Sequence, residues 1–183
     1  MKKYIISQTI GIIAFIISLV AYHRNKKEKI LGNMILSNIL NLVHYILLGA
    51  YTGCITKGLA IFRDGFIILK ENNEKYNKKF FLYIFVIIYV ISSVVSYKNI
   101  WSLFPLIAAV IYLIPIWGGN KKIVKQTALF FYFLWLIYNI FIFSIAGIIS
   151  NIISIISTAI AVFNENKKFI LKKKSYTDNY QHY

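Results

Sequence analysis

The stretch Cys54-Ile55-Thr56-Lys57-Gly58-Leu59-Ala60-Ile61-Phe62-Arg63-Asp64-Gly65-Phe66-Ile67-Ile68-Leu69 decides the fold. It is apolar enough to cross a bilayer except for Lys57, Arg63 and Asp64. A membrane helix needs about 20 mostly apolar residues, and six other stretches approach that length: Tyr4 to Tyr22, Ile30 to Ala50, Phe80 to Ser96, Ile100 to Trp117, Val124 to Phe143 and Ile145 to Phe163. If Cys54 to Leu69 also crosses, the chain has seven spans and its termini lie on opposite sides. If it does not, six spans remain. The spans on either side of it favour seven, because the chain has to return across the membrane between them.

Composition sets this reading in a membrane. The 183 residues are 58% hydrophobic and 17% aromatic, with a mean hydropathy of +0.64. Charged residues are 15%, well under the roughly 25% of soluble domains. Yet the net charge is +15, from 21 basic and 6 acidic residues. Those cations alternate with long apolar runs over four separate loops, which argues against nucleic acid as a partner and for a lipid bilayer. The lone cysteine, Cys54, excludes an intramolecular disulfide and a multi-cysteine metal site. The first span follows Lys2-Lys3 but lacks a small-residue cleavage pattern, so it reads as retained.

The basic residues also orient the chain. With seven spans, 16 of them fall in loops on one side (Arg24 to Lys29, Lys70 to Lys79, Lys121 to Lys125, Lys167 to Lys174) and 3 on the other (Lys2, Lys3, Lys98). The positive-inside rule then puts the N-terminus outside and the C-terminus in the cytoplasm. Cys54, next to the turn at Thr52-Gly53, is expected to react with an impermeant thiol reagent from outside.

A gapless offset of 94 residues places the first three spans on the last three: Ile13-Ala14 on Ile107-Ala108, Leu19 on Leu113, Lys27 on Lys121, Gly53 on Gly147. It superposes span boundaries, a basic loop and a glycine-bearing turn. In span seven Ser150, Asn151, Ser154, Ser157 and Thr158 share an arc of about 120°. Their counterparts in span three are Thr56, Lys57, Ala60, Arg63 and Asp64, four of which are polar. Span two carries Ser37, Asn38, Asn41, His44 and Tyr45, whose mates in span six are Phe131, Tyr132, Trp135, Tyr138 and Asn139. The expected architecture is all-α and membrane-integral: a first three-helix repeat (1–79), a linker span (80–99), a second repeat (100–163) and a basic tail (164–183), in a 3+1+3 plan.

Arg24-Asn25-Lys26-Lys27, Leu36-Ser37-Asn38, Asn41, His44-Tyr45 and Leu47-Leu48-Gly49-Ala50 resemble the YgjV-type bacterial inner-membrane family. The plan resembles the wider SWEET, MtN3 and PQ-loop transporters and the PnuC-type vitamin carriers. That resemblance implies a solute site between two three-helix units, alternating access and a bacterial cytoplasmic membrane; it names no substrate. The Pro-Gln dipeptide of the PQ-loop group is absent. Asn151 matches a pocket asparagine of SWEET proteins, but Lys57 stands at the mate position. Both prolines, Pro105 and Pro115, fall in span five, so any hinge is expected there.

The candidate solute pocket comprises Lys57, Arg63, Asp64, Asn151, Ser154 and Ser157, with Asn41, His44 and Trp135 nearby. Charges in mid-membrane cost roughly 2.5–3.5 kcal/mol each on insertion scales and usually mark pathways. The competing reading lets Lys57 and Arg63 snorkel to the headgroups, which the short Asp64 side chain cannot do. His44 suits either a proton relay or a helix-packing hydrogen bond, and the serines and asparagines suit helix association equally well. No phosphate loop, carboxylate pair, metal-ligand spacing or cofactor motif is present, so an enzyme is not expected. The expected partner is an unidentified small solute, with self-association open. The alternative function is a non-transporting membrane scaffold or assembly factor.

Overall fold

The computed structural model describes residues 1–22, 27–119 and 121–180, with side chains for 1–21, 29–119 and 123–164. The cations of the 23–28 and 120–122 loops and of the tail from 165 onward, on which the orientation argument leans, lie outside those side chains.

Seven α-helices make up the described chain: α1 (Lys2–Tyr22), α2 (Lys27–Leu48), α3 (Tyr51–Asn72), α4 (Lys79–Val95), α5 (Leu103–Gly118), α6 (Lys121–Phe141) and α7 (Ile145–Tyr180). Five contain windows long and apolar enough to cross a membrane: Lys2–Ala21, Lys29–Leu48, Ile100–Gly118, Ile123–Phe141 and Ile145–Asn164. α4 is apolar but shorter, and α3 carries its charges within the helix. Isoleucine-rich runs are mediocre helix formers in water, but in hydrocarbon a helix satisfies every backbone donor and acceptor locally. α3 extends beyond the expected Cys54 to Leu69, and α7 runs on to Tyr180, past Phe163.

Large apolar side chains cover the outside of the bundle, while small and polar residues share its interior with an apolar core. On α1, Ile5, Ile6, Ile12, Ile13 and Ile16 are exposed, while Ser7, Gly11, Ala14 and Ala21 are buried. Those small residues recur at spacings of three, four and seven, so one narrow face lets the neighbouring backbone approach. α3 separates its residues in the same sense: Thr52, Thr56, Ala60, Arg63, Asp64 and Ile67 are buried, while Phe62 and Leu69 are exposed.

Helix contacts run α1–α2–α3–α5–α6–α7 and return from α7 to α1, closing a ring; α4 packs on α3 and α5. The turns that link α2 to α3 and α6 to α7 share one geometry. After α2, Gly49 adopts φ +70°, its N–H bonding the Ile46 carbonyl and the Ala50 N–H that of Tyr45. After α6, Phe143 adopts φ 55°, and the same bonds join Phe143 to Ile140 and Ser144 to Asn139. This is a Schellman end repeated at a spacing of 94 residues, the second time without the glycine that makes a left-handed residue easy. These turns mark the turn end of the bundle; the termini of α5 and α6 near Gly119 and Ile123 mark the opposite, basic end.

Pro105 stands in the first turn of α5, where its missing N–H had no helical partner to lose. Pro115 lies inside the helix and withholds a donor from the Ile111 carbonyl. Of the two expected hinge prolines, only Pro115 interrupts the hydrogen-bond ladder.

Candidate functional site

A cavity of about 530 Å³ occupies the centre of the ring, lined by residues of α1, α2, α3, α5, α6 and α7 and the α5 C-cap Gly119. It begins at the basic end beside Ile30, the exposed Gly119 and Val124, and ends near the turn end at Tyr45, Asn139 and Gly147. Its volume lies in the usual range of small-molecule sites.

Its most ordered polar feature is contributed by α3. Arg63 and Asp64 are both buried, at 6% and 2% exposure. The Arg63 Nε and Nη2 lie 2.8 and 2.7 Å from Asp64 Oδ1, and Asn38 Nδ2 of α2 donates to Oδ2 at 3.0 Å. The Tyr112 ring of α5 lies 5.8 Å from the guanidinium carbon. Both carboxylate oxygens are therefore engaged, and the guanidinium is paired rather than extended toward a headgroup. Two turns toward the other end, Lys57 holds its ammonium 4.2 Å from the centroid of the Trp135 ring.

Of the residues selected from sequence, Lys57, Arg63, Asp64, Asn41, Trp135, Asn151 and Ser154 line this cavity. Ser157 does not; it is exposed on α7. His44 is outside the lining too, and both of its ring nitrogens are engaged. Nδ1 lies 2.7 Å from the Ser7 carbonyl, which can only accept, so Nδ1 carries the proton. Nε2 then accepts from Ser144 Oγ at 2.8 Å, and that oxygen accepts from the Gly147 N–H at 3.1 Å. The histidine thus joins α1 and α2 to the α6–α7 turn, a packing role.

Residues not selected from sequence complete the site. Tyr45 donates to Asn139 Oδ1 at 3.0 Å, and the Gly53 N–H donates to the Tyr138 hydroxyl at 3.0 Å. Tyr45 and Asn139 lie 94 residues apart, the offset read from the sequence. That relation was the available signal. Tyr138 also lines a second cavity of about 270 Å³, formed by Thr52, Lys98 and other residues of the turn end. Tyr45, Tyr138 and Asn139 thus stand between the two cavities. Tyr112 gave no sequence signal, being one of several aromatics in its span. Among the described residues, no three His, Cys, Asp or Glu side chains converge as a metal site would require.

Apolar outward faces and helices long and apolar enough to cross a membrane define a polytopic helical membrane protein with a central cavity. The family of bacterial inner membrane proteins called Imp-YgjV matches the chain over residues 5–168, and the chain belongs to it. No curated protein and no solved structure matches.

Proposed function

We propose that the chain is a small-solute carrier of the bacterial inner membrane, working by alternating access between two three-helix repeats, α1–α3 and α5–α7, joined by α4. One observation carries this reading: a ligand-sized cavity reaching one end of the bundle is separated from a smaller cavity at the other by the side chains of Tyr45, Tyr138 and Asn139. A scaffold gains nothing from a hollow centre lined with buried charge. The repeated Schellman turns and the paired contacts α1–α7 and α3–α5 support the two-repeat plan. All seven helices then cross the membrane, α3 with its charges turned inward. The basic end faces the cytoplasm, so this conformation is open inward.

Uptake into proteoliposomes tests the carrier, using the best stabiliser from a screen of sugars, vitamins, nucleosides and small anions. Asp64→Asn and Arg63→Ala are expected to lower the rate at least about tenfold, since each removes a charge-assisted hydrogen bond. No movement of any solute rejects the carrier, and normal rates in both variants reject a role for the Arg63–Asp64 pair in its site.

Orientation has its own test. Cys54 is partly buried and packs against the cluster of Tyr45, Trp135 and Tyr138, so it is a poor reporter. In a Cys54→Ser background, Tyr97→Cys, exposed between α4 and α5, should react with an impermeant maleimide on intact cells. Glu74→Cys, exposed between α3 and α4, should react only after permeabilisation. The reverse pattern inverts the assignment.

A further inference from the structure

We propose that the solute is an organic anion whose charged head sits between the Lys57 ammonium and the indole N–H of Trp135; this rests on the carrier reading of the same cavity. Four side chains lining the cavity carry formal charge: Lys57, Arg63, Lys125 and Asp64. Three are basic, and the one carboxylate has both oxygens committed to Arg63 and Asn38. No carboxylate lies within ion-pair reach of Lys57 among the described residues, and its ammonium lies over the face of Trp135. A ring face is a weaker counterpart for an ammonium than an anion is.

The second observation is independent of charge. Trp135 is 2% exposed and lines the cavity, yet its Nε1–H is buried with no hydrogen-bond partner. Buried donors are nearly always satisfied, so an orphan on a side chain that lines a ligand-sized cavity calls for an acceptor supplied from outside the chain. An anion answers both groups at once. A cationic solute would meet repulsion from Lys57, and a neutral polyol would leave the ammonium without countercharge in a low-dielectric interior. Tyr112, Phe131 and Tyr132 offer rings to the body of the molecule.

Three probes that share a ring system and differ only in the head test this: 1-naphthaleneacetate, 1-naphthaleneacetamide and 1-naphthylmethylamine, each titrated against the purified full-length chain by equilibrium dialysis and thermal unfolding. The acetate should bind at least about tenfold tighter than the amide, and the amine should not bind. Lys57→Met should erase that preference, and Lys57→Arg, which keeps the charge, should retain it. Binding of the amide or amine as tight as that of the acetate overturns the proposal. So does an unchanged preference in Lys57→Met when Lys57→Arg is folded, or failure of all three probes to bind. Charge-selective binding without uptake in proteoliposomes upholds this inference and rejects the carrier; uptake confined to uncharged solutes does the opposite.

Discussion

Asp64→Ala should destabilise the protein by about 3–5 kcal/mol, the usual consequence of removing one partner of a buried ion pair. The carboxylate accepts from Arg63 Nε and Nη2 through one oxygen and from Asn38 through the other. Without it, a guanidinium 6% exposed keeps only uncharged neighbours such as the rings of Tyr112 and Tyr89. Replacing both charges by apolar residues of similar size removes the cause of the penalty, so Arg63→Met with Asp64→Leu should recover most of the lost stability. The two variants separate structure from function. Thermal unfolding in detergent should rank wild type and double variant close together with Asp64→Ala far below, while proteoliposome uptake should be lost in both. A double variant that transports at the normal rate would make the pair a packing element. Asp64→Ala as stable as wild type would mean that the pair is not enclosed.

Gly147→Val should produce the second large effect. A Cβ built on Gly147 meets the side-chain amide of Asn139, which supplies all three of its nearest atoms. Asn139 is 1% exposed and holds the Tyr45 hydroxyl, so it has nowhere to move without releasing that bond. Overpacking of this kind costs about 1–3 kcal/mol, and the lost hydrogen bond adds about 1 kcal/mol. Adding Asn139→Ala clears the space, and the pair of changes should be more stable than Gly147→Val alone. Gly53 is the mate of Gly147, and a Cβ there meets the Tyr45 ring at 2.8 Å, so Gly53→Val should fail in the same way. If Gly147→Val unfolds at the wild-type temperature, α6 and α7 are not in the close contact described.

Legibility from sequence followed the physical range of each interaction. The five spans that are both long and apolar could be read from length and composition, because hydrocarbon thickness acts on one helix at a time. α3 was harder: its charges disguise a helix whose outward residues, such as Phe62, are as apolar as any. The stripe Thr56, Ala60, Arg63 and Asp64 still marked its buried face, since periodicity is a property of one helix. What faces that stripe belongs to other helices, so the Asn38 bond to Asp64 and the Tyr112 ring were invisible. Ser157 shows the converse limit: it shares an arc with Asn151 and Ser154, but by its level on α7 it is exposed. His44 needed both of its partners, Ser7 and Ser144, 37 and 100 residues away, before its packing role could be recognised.

α4 touches only α3 and α5 among the helices it packs on closely, buries only Phe85 and Tyr89 and presents Tyr83, Ile87, Val90, Ile91 and Val94 outward. Its 17 residues rise only about 26 Å at 1.5 Å each, against a hydrocarbon thickness of about 30 Å. α1, with 21 residues, rises about 31 Å, so a membrane-crossing α4 would hold the surrounding lipid thinner than α1 does. Acyl-chain length would then be a lever on the protein: thicker bilayers would strain α4, and the strain would bear on α3 and α5, the two helices that carry Arg63, Asp64 and Tyr112.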